Sequence, residues 1–156
     1  MRLYSITNMY MAGIHAGIQT QHSTAELFVK YPMTNSATSH LGSVVYTWAK
    51  YAKTTVVLNG GMHDALCSLL ELLEEWERKD PQEVMPFAPF FEPGVNNALT
   101  SISVVMDAVA VDYMARIRST KPDTEDYEQL HLEMHDSYGR YGILVLEAIA
   151  FLPLAK

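Results

Sequence analysis

The hydrophobic pattern begins with "LYSIT" at 3–7, a short run of strand-forming residues closed by Asn8. The stretch "AGIHAGIQTQHSTAELF", 12–28, then shifts to a helical period. Ile14, Ile18, Ala25 and Phe28 recur along one side and predict the core-facing stripe of a first helix. His15, Gln19 and His22 share a second side, and Gly13 and Gly17, four apart, make a bare third one. "YPMTNSATSH" at 31–40 reads as a loop. Leu41, Val44, Val45, Trp48 and Ala52 return at helical spacing, and "KTTVVLNGG" at 53–61 is a β-branched strand ending in a turn.

The clearest helix is "MHDALCSLLELLEEWERK", with Leu66, Leu69, Leu70, Leu73 and Trp76 as its stripe and Asp64 in its first turn. "PFAPFFEPG" carries prolines at 86, 89 and 93, which fits an edge strand or an extended loop. "ALTSISVVM" at 98–106 alternates two faces and predicts a strand. Helices follow near 108–118 and 124–138, the second with Thr124 as its N-cap. The tail from 143 to 155, "ILVLEAIAFLPLA", is too apolar to leave in water. Ile143, Leu146, Ile149 and Ala150 would form a helical stripe, with Val145 and Leu152 beside it, although "ILVL" also suits a strand. That stripe is expected on the sheet or across a two-fold axis. The order of elements predicts an α/β fold, a small mixed four-stranded sheet flanked by helices, with extra C-terminal helices. A single domain over 1–156 is expected, divided into an α/β core at 3–106 and a helical addition at 107–156.

Charge narrows the partners. The formal net charge is −7, with 11 Lys and Arg scattered along the chain. Extended nucleic acid, whose binding rests on phosphate neutralisation, is therefore an unfavoured partner. No run approaches the roughly 18 to 20 apolar residues of a membrane span, and "MRLYSITNMYMAG" has no apolar signal core. The expectation is a cytoplasmic protein without membrane attachment. Cys67, the single cysteine, reads as a small core residue in "ALCSLLELL".

Candidate chemistry concentrates in two places. On the first helix, a histidine at 15 suits a general base or a hydrogen-bonding ligand contact near neutral pH. Gln19 reads as site or surface, and His22 as site or structural residue. In "EPGVNNALT", Glu92, Asn96, Asn97 and Thr100 all hydrogen-bond, and the asparagines suit a base edge or a ribose. Phe87, Phe90 and Phe91 supply stacking surface, at least one of them to the core. "NGG" at 59–61 is an ordinary turn or a source of amides for a phosphate. His131 and His135, four apart, have Glu128 and Asp136 nearby, but two ligands do not make a zinc site; a solvated face is the simpler reading, and no metal is expected.

Element order and local words together resemble the type 2 peptidyl-tRNA hydrolase family. The matching stretches are "HAGIQTQHS", "YTWAKYAKTTVVLNGG", "LCSLLELLEEW", "FFEPGVN" and "LTSISVVM", spanning about 3–106. The resemblance implies the family's fold and places Gln19 and His22 at the family's helix spacing. The family's functional lysine falls on His15, its acidic turn on Glu92, its arginine on Val95 and its threonine on Asn96. The basic tRNA-binding surface of that family has no counterpart in this acidic chain. A retained scaffold with rewritten chemistry, ending in added helices, looks like a phage accessory protein, some of which sequester nucleotide signals of bacterial immune systems. The expectation is thus a binder of a nucleotide-derived small molecule, working without a cofactor as a homodimer or higher homo-oligomer, in the host cytoplasm if phage-encoded. Its pocket would lie at the end of the first strand, built from Asn8, His15, Gln19, His22, Glu92, Asn96, Asn97 and Thr100. The alternative is a hydrolase of peptidyl-tRNA or of a nucleotide signal, using His15.

Overall fold

A computed structural model describes residues 1–34 and 39–155, with the backbone alone at Ser39. The part of the expected 31–40 loop that falls on 35–38 lies outside the described residues. Four strands form one open mixed sheet: β1 (Arg2–Thr7), β2 (Thr55–Asn59), β3 (Phe87–Glu92) and β4 (Ala98–Met106), in spatial order β2-β1-β4-β3. β1 runs parallel to β2 and antiparallel to β4, and β3 pairs antiparallel with β4. Among the described residues, five α-helices accompany the sheet: α1 (Ile14–Lys30), α2 (Ser39–Thr47), α3 (His63–Lys79), α4 (Ala108–Ser119) and α5 (Glu125–Ala150). The α/β class and the mixed four-stranded sheet are as the pattern implied. None of the described helices is long and apolar enough to cross a membrane.

β4 matches its expected span and is covered on both faces, so almost every residue in it is buried. β3, the proline-bearing strand, is the sheet edge opposite β2. There Pro89 withholds no donor from a neighbour beyond it. The stripe of α3 is buried in full, Leu66, Leu69, Leu70, Leu73 and Trp76. α2 buries Leu41 and Val45 and runs into a π-helical turn at Trp48–Ala52, which ends on Lys53 with φ 54°. That turn buries Trp48, whose indole N–H reaches the Thr54 carbonyl at 3.0 Å.

The two faces of the sheet differ in chemistry. Tyr4 and Ile6 of β1 pair in register with Val104 and Ile102 of β4, an apolar face that α3 covers. Ser5 and Thr7 pair with Ser103 and Ser101, so four hydroxyls share the other face, the one under α1. α1 answers in kind. It buries Ala16, Gln19, Thr20, Ser23 and Leu27. The stripe expected in the core, Ile14, Ile18, Ala25 and Phe28, is exposed. The reason is the sheet: the Ser101 and Ser103 hydroxyls find their partners on the polar side of α1, at the Gln19 carbonyl and the Ser23 hydroxyl, while Thr7 donates to the Leu58 carbonyl.

The tail is helical, and α5 packs against α3 and α4. Ile143, Val145, Leu146, Ile149 and Ala150 are buried within the chain, which leaves no tail stripe for a two-fold contact. Gly139, at φ 62° and ψ −177°, breaks the helical path inside α5. A Cβ there would stand 2.9 Å from carboxylate oxygens of Asp80 and Glu83. Beyond α5, Leu154 bridges to Leu58 and covers the free edge of β2.

Candidate functional site

The polar side of α1 meets the β3–β4 hairpin at Gln19. Its Nε2 donates to Glu92 Oε2 at 2.9 Å, and its Oε1 accepts from the Thr100 hydroxyl at 2.6 Å. Its main-chain carbonyl accepts from the Ser101 hydroxyl at 2.8 Å. The ladder continues inward through Ser23, whose hydroxyl lies 2.8 Å from that of Ser103. Next to Ser103 in the register is Ser5, whose hydroxyl is buried without a hydrogen-bond partner among the described residues.

At the outer end of the ladder the side chains become accessible. Glu92 is the last residue of β3, and its other oxygen accepts from the Gly94 N–H at 3.2 Å as the chain turns through Pro93–Val95. The hydrogen bond from Gln19 is the largest influence on the carboxylate, followed by that from Gly94, and together they hold its pKa below the usual glutamate value. His22 Nδ1 lies 4.0 Å from Glu92 Oε2, and its ring sits 4.5 Å from that of Phe90, tilted at 55°. A fixed anionic acceptor and a half-exposed aromatic plane thus stand side by side.

The predicted residues divide. Gln19, His22, Glu92 and Thr100 come together directly. Asn8 joins through its main chain, donating to the Thr100 carbonyl at 2.9 Å, while its side-chain oxygen takes the Tyr10 N–H inside the β1–α1 turn. Gln19 has both ends of its amide engaged and is buried, so it positions Glu92 rather than facing solvent. His15 is exposed near the start of α1, and no side-chain partner accompanies it among the described residues. Asn96 and Asn97 are exposed and left-handed, with φ of 54° and 55°, and their positions need a turn-forming residue. A cleft of about 340 Å³ does open at the ends of β1 and β2. Its walls are Thr7, Met9, Met11, Ala12, Asn59 and Pro153. It therefore lies toward β2 and the chain end, where the sequence reading had expected walls from α1 and the 92–100 segment.

Other polar groups form combinations that spacing alone did not single out. Ser23, Ser101 and Ser103 belong to the ladder. The signal for them was present: Gln19 and Ser23 are four apart on a helix, and Ser101 and Ser103 two apart on a strand. Glu147 accepts from the Tyr127 hydroxyl at 2.7 Å and lies 2.6 Å from His131 Nε2. That hydrogen bond, with burial, pushes the Tyr127 phenol up to about 12. His131 is therefore bound to the second arm of α5 and does not belong to a plain solvated face. Among the described residues, no group of three His, Cys, Asp or Glu side chains could hold a metal ion. Cys67 is only partly covered: it packs against the margin of the core rather than inside it, with its sulfur 3.5 Å from His63 Nε2.

No protein-family model matches the chain, and no curated protein matches its sequence.

Proposed function

We propose that the protein binds a small nucleotide-derived molecule and holds it without cleaving it. The observation that carries this reading is the Glu92 carboxylate, anchored by Gln19 and Gly94 beside the His22–Phe90 ring pair. A carboxylate kept ionised is a good acceptor for ribose hydroxyls or a base amino group. It is a poor proton carrier near neutral pH, because general-base efficiency favours a pKa near the working pH. The Thr100 hydroxyl points at an amide oxygen, which cannot activate it as a nucleophile. The ring of His22 offers a base a stacking plane.

The phosphate end of such a ligand would be repelled by Glu92 and suits the other end of α1. Gly13 supplies no side-chain cap there, the first turn holds no acidic residue, and His15 stands exposed beside it. His15 and His22 are separated by about 10 Å along the helix axis, close to the span of one nucleotide. Retention without turnover fits sequestration of a signalling nucleotide. The test is to incubate the protein with linear and cyclic purine and pyrimidine nucleotides and with peptidyl-tRNA. The protein is then re-isolated and denatured, and the released material is chromatographed. Intact nucleotide in the released fraction supports the reading. Product in the mixture would replace it with the hydrolase alternative based on His15, and a panel with nothing retained or converted overturns both.

A further inference from the structure

The exposed side of α1 is its apolar side. Ile14 is 77% exposed, Phe28 44% and Ile18 40%. With Gly17, Gln21 and Ala25 they form one continuous stripe, on the far side of the helix from Gln19, Ser23 and Leu27. None of these six residues is charged, in a chain of net charge −7. Gly17 adds an independent sign. It sits in a helix interior, where alanine is the better helix former. A Cβ at that position would meet nothing within 4 Å, so no contact among the described residues accounts for the glycine.

We infer that this stripe is a homodimer interface in which two copies of α1 pack antiparallel about a two-fold axis at Gln21. The stripe is self-complementary in that arrangement. Ile14 and Phe28 lie seven residues on either side of Gln21, and Gly17 and Ala25 lie four on either side. Ile14 therefore faces Phe28, Ile18 meets Thr24, and the small pair of Gly17 and Ala25 lets the helix axes approach to about 8 Å. Antiparallel pairing also sets the positive end of each helix dipole beside the negative end of its mate. The uncharged stripe is where two acidic copies repel each other least. It offers roughly 500 Å² per copy, or about 1,000 Å² per pair, below the range of stable interfaces and within that of transient ones, so the dimer is reversible. His15 and His22 border the stripe on the same flank, and the two-fold axis brings both copies' histidines to one side of the helix pair.

The test needs no ligand and stands apart from the functional reading. Sedimentation of the full chain over a concentration series should show the mass rising from 17.5 kDa toward twice that value. Ile18→Glu and Gly17→Leu should each hold it at the monomer mass. Both keep the circular dichroism spectrum, and Gly17→Leu melts no lower than the parent. With Cys67 replaced by Ser, a mixture of Ile14→Cys and Phe28→Cys chains should form the mixed disulfide faster than either chain links to itself. A parent chain that stays monomeric throughout overturns the interface and leaves the stripe to a different protein. Variants that dimerise as well as the parent overturn this stripe as its location, and preferential self-linking of each cysteine variant overturns the antiparallel arrangement.

Discussion

Glu92 is the residue on which the candidate site turns, and its neighbours fix what it can do. Two donated hydrogen bonds keep the carboxylate ionised below the usual glutamate pKa of 4.5. A lowered folded-state pKa contributes above the ordinary value and is lost only as pH falls through the lowered one. The Glu92 contribution to retention, read as the difference between the parent and Glu92→Gln, should therefore persist from pH 7 to 5 and fall only below 4.5, in equilibrium dialysis run beside a circular dichroism control. Glu92→Gln, which keeps the shape and removes the charge, should weaken retention about ten- to a hundredfold, the worth of a charge-assisted hydrogen bond. Its melting temperature should stay close to the parent's, since the group sits at the surface. Retention unchanged by Glu92→Gln would remove the residue from the site. The types and spacings of Gln19, His22, Glu92 and Thr100 were legible in the sequence. Which of them would face solvent was not: Gln19 could be read as a ligand contact until Thr100 and Glu92 were seen to occupy both ends of its amide.

Among the elements, α3 and β4 announced themselves because their patterns had one reading each. Five apolar residues recur on one side of α3 at helical spacing, and the two-face alternation of 98–106 between breakers reads as a strand. α1 misled because it has two self-consistent sides. A helix wheel identifies the apolar side, and burying it is the default when the surface beneath is apolar. Here the surface beneath carries Ser5, Thr7, Ser101 and Ser103, and the two serines that bond α1 stand 80 and 82 residues from their partners in the chain. α5 shows the opposite case, where a single residue sets the geometry of a long element. Gly139 occupies a backbone region that is essentially reserved for glycine, and a Cβ added there would run into the carboxylates of Asp80 and Glu83. Gly139→Ala should lower unfolding free energy by about 1–3 kcal/mol in urea titrations. An alanine variant as stable as the parent would show that the kink has no role in holding α5 against α3.

For the whole molecule, the C-terminal segment is part of the core. Truncation after Tyr141 would strip α3 and α4 of Ile143, Val145, Leu146 and Ile149 and uncover the β2 edge that Leu154 closes. Such a chain should aggregate or lose its cooperative melt, and a soluble, normally melting product would contradict the packing described. The hydroxyl seam under α1 bears on how the molecule comes apart. Leu27 is the one large apolar side chain that α1 buries, so lifting the helix from the sheet hydrates mainly hydroxyls, amides and carbonyls. Such an opening uncovers only a part of the surface exposed in global unfolding, so its free energy should fall less steeply with urea. In native-state hydrogen exchange, the α1 amides should follow a shallower line in urea than those of β4, which fall along the global line. α1 would then be a detachable cover, rigid when seated and released without melting the sheet beneath it.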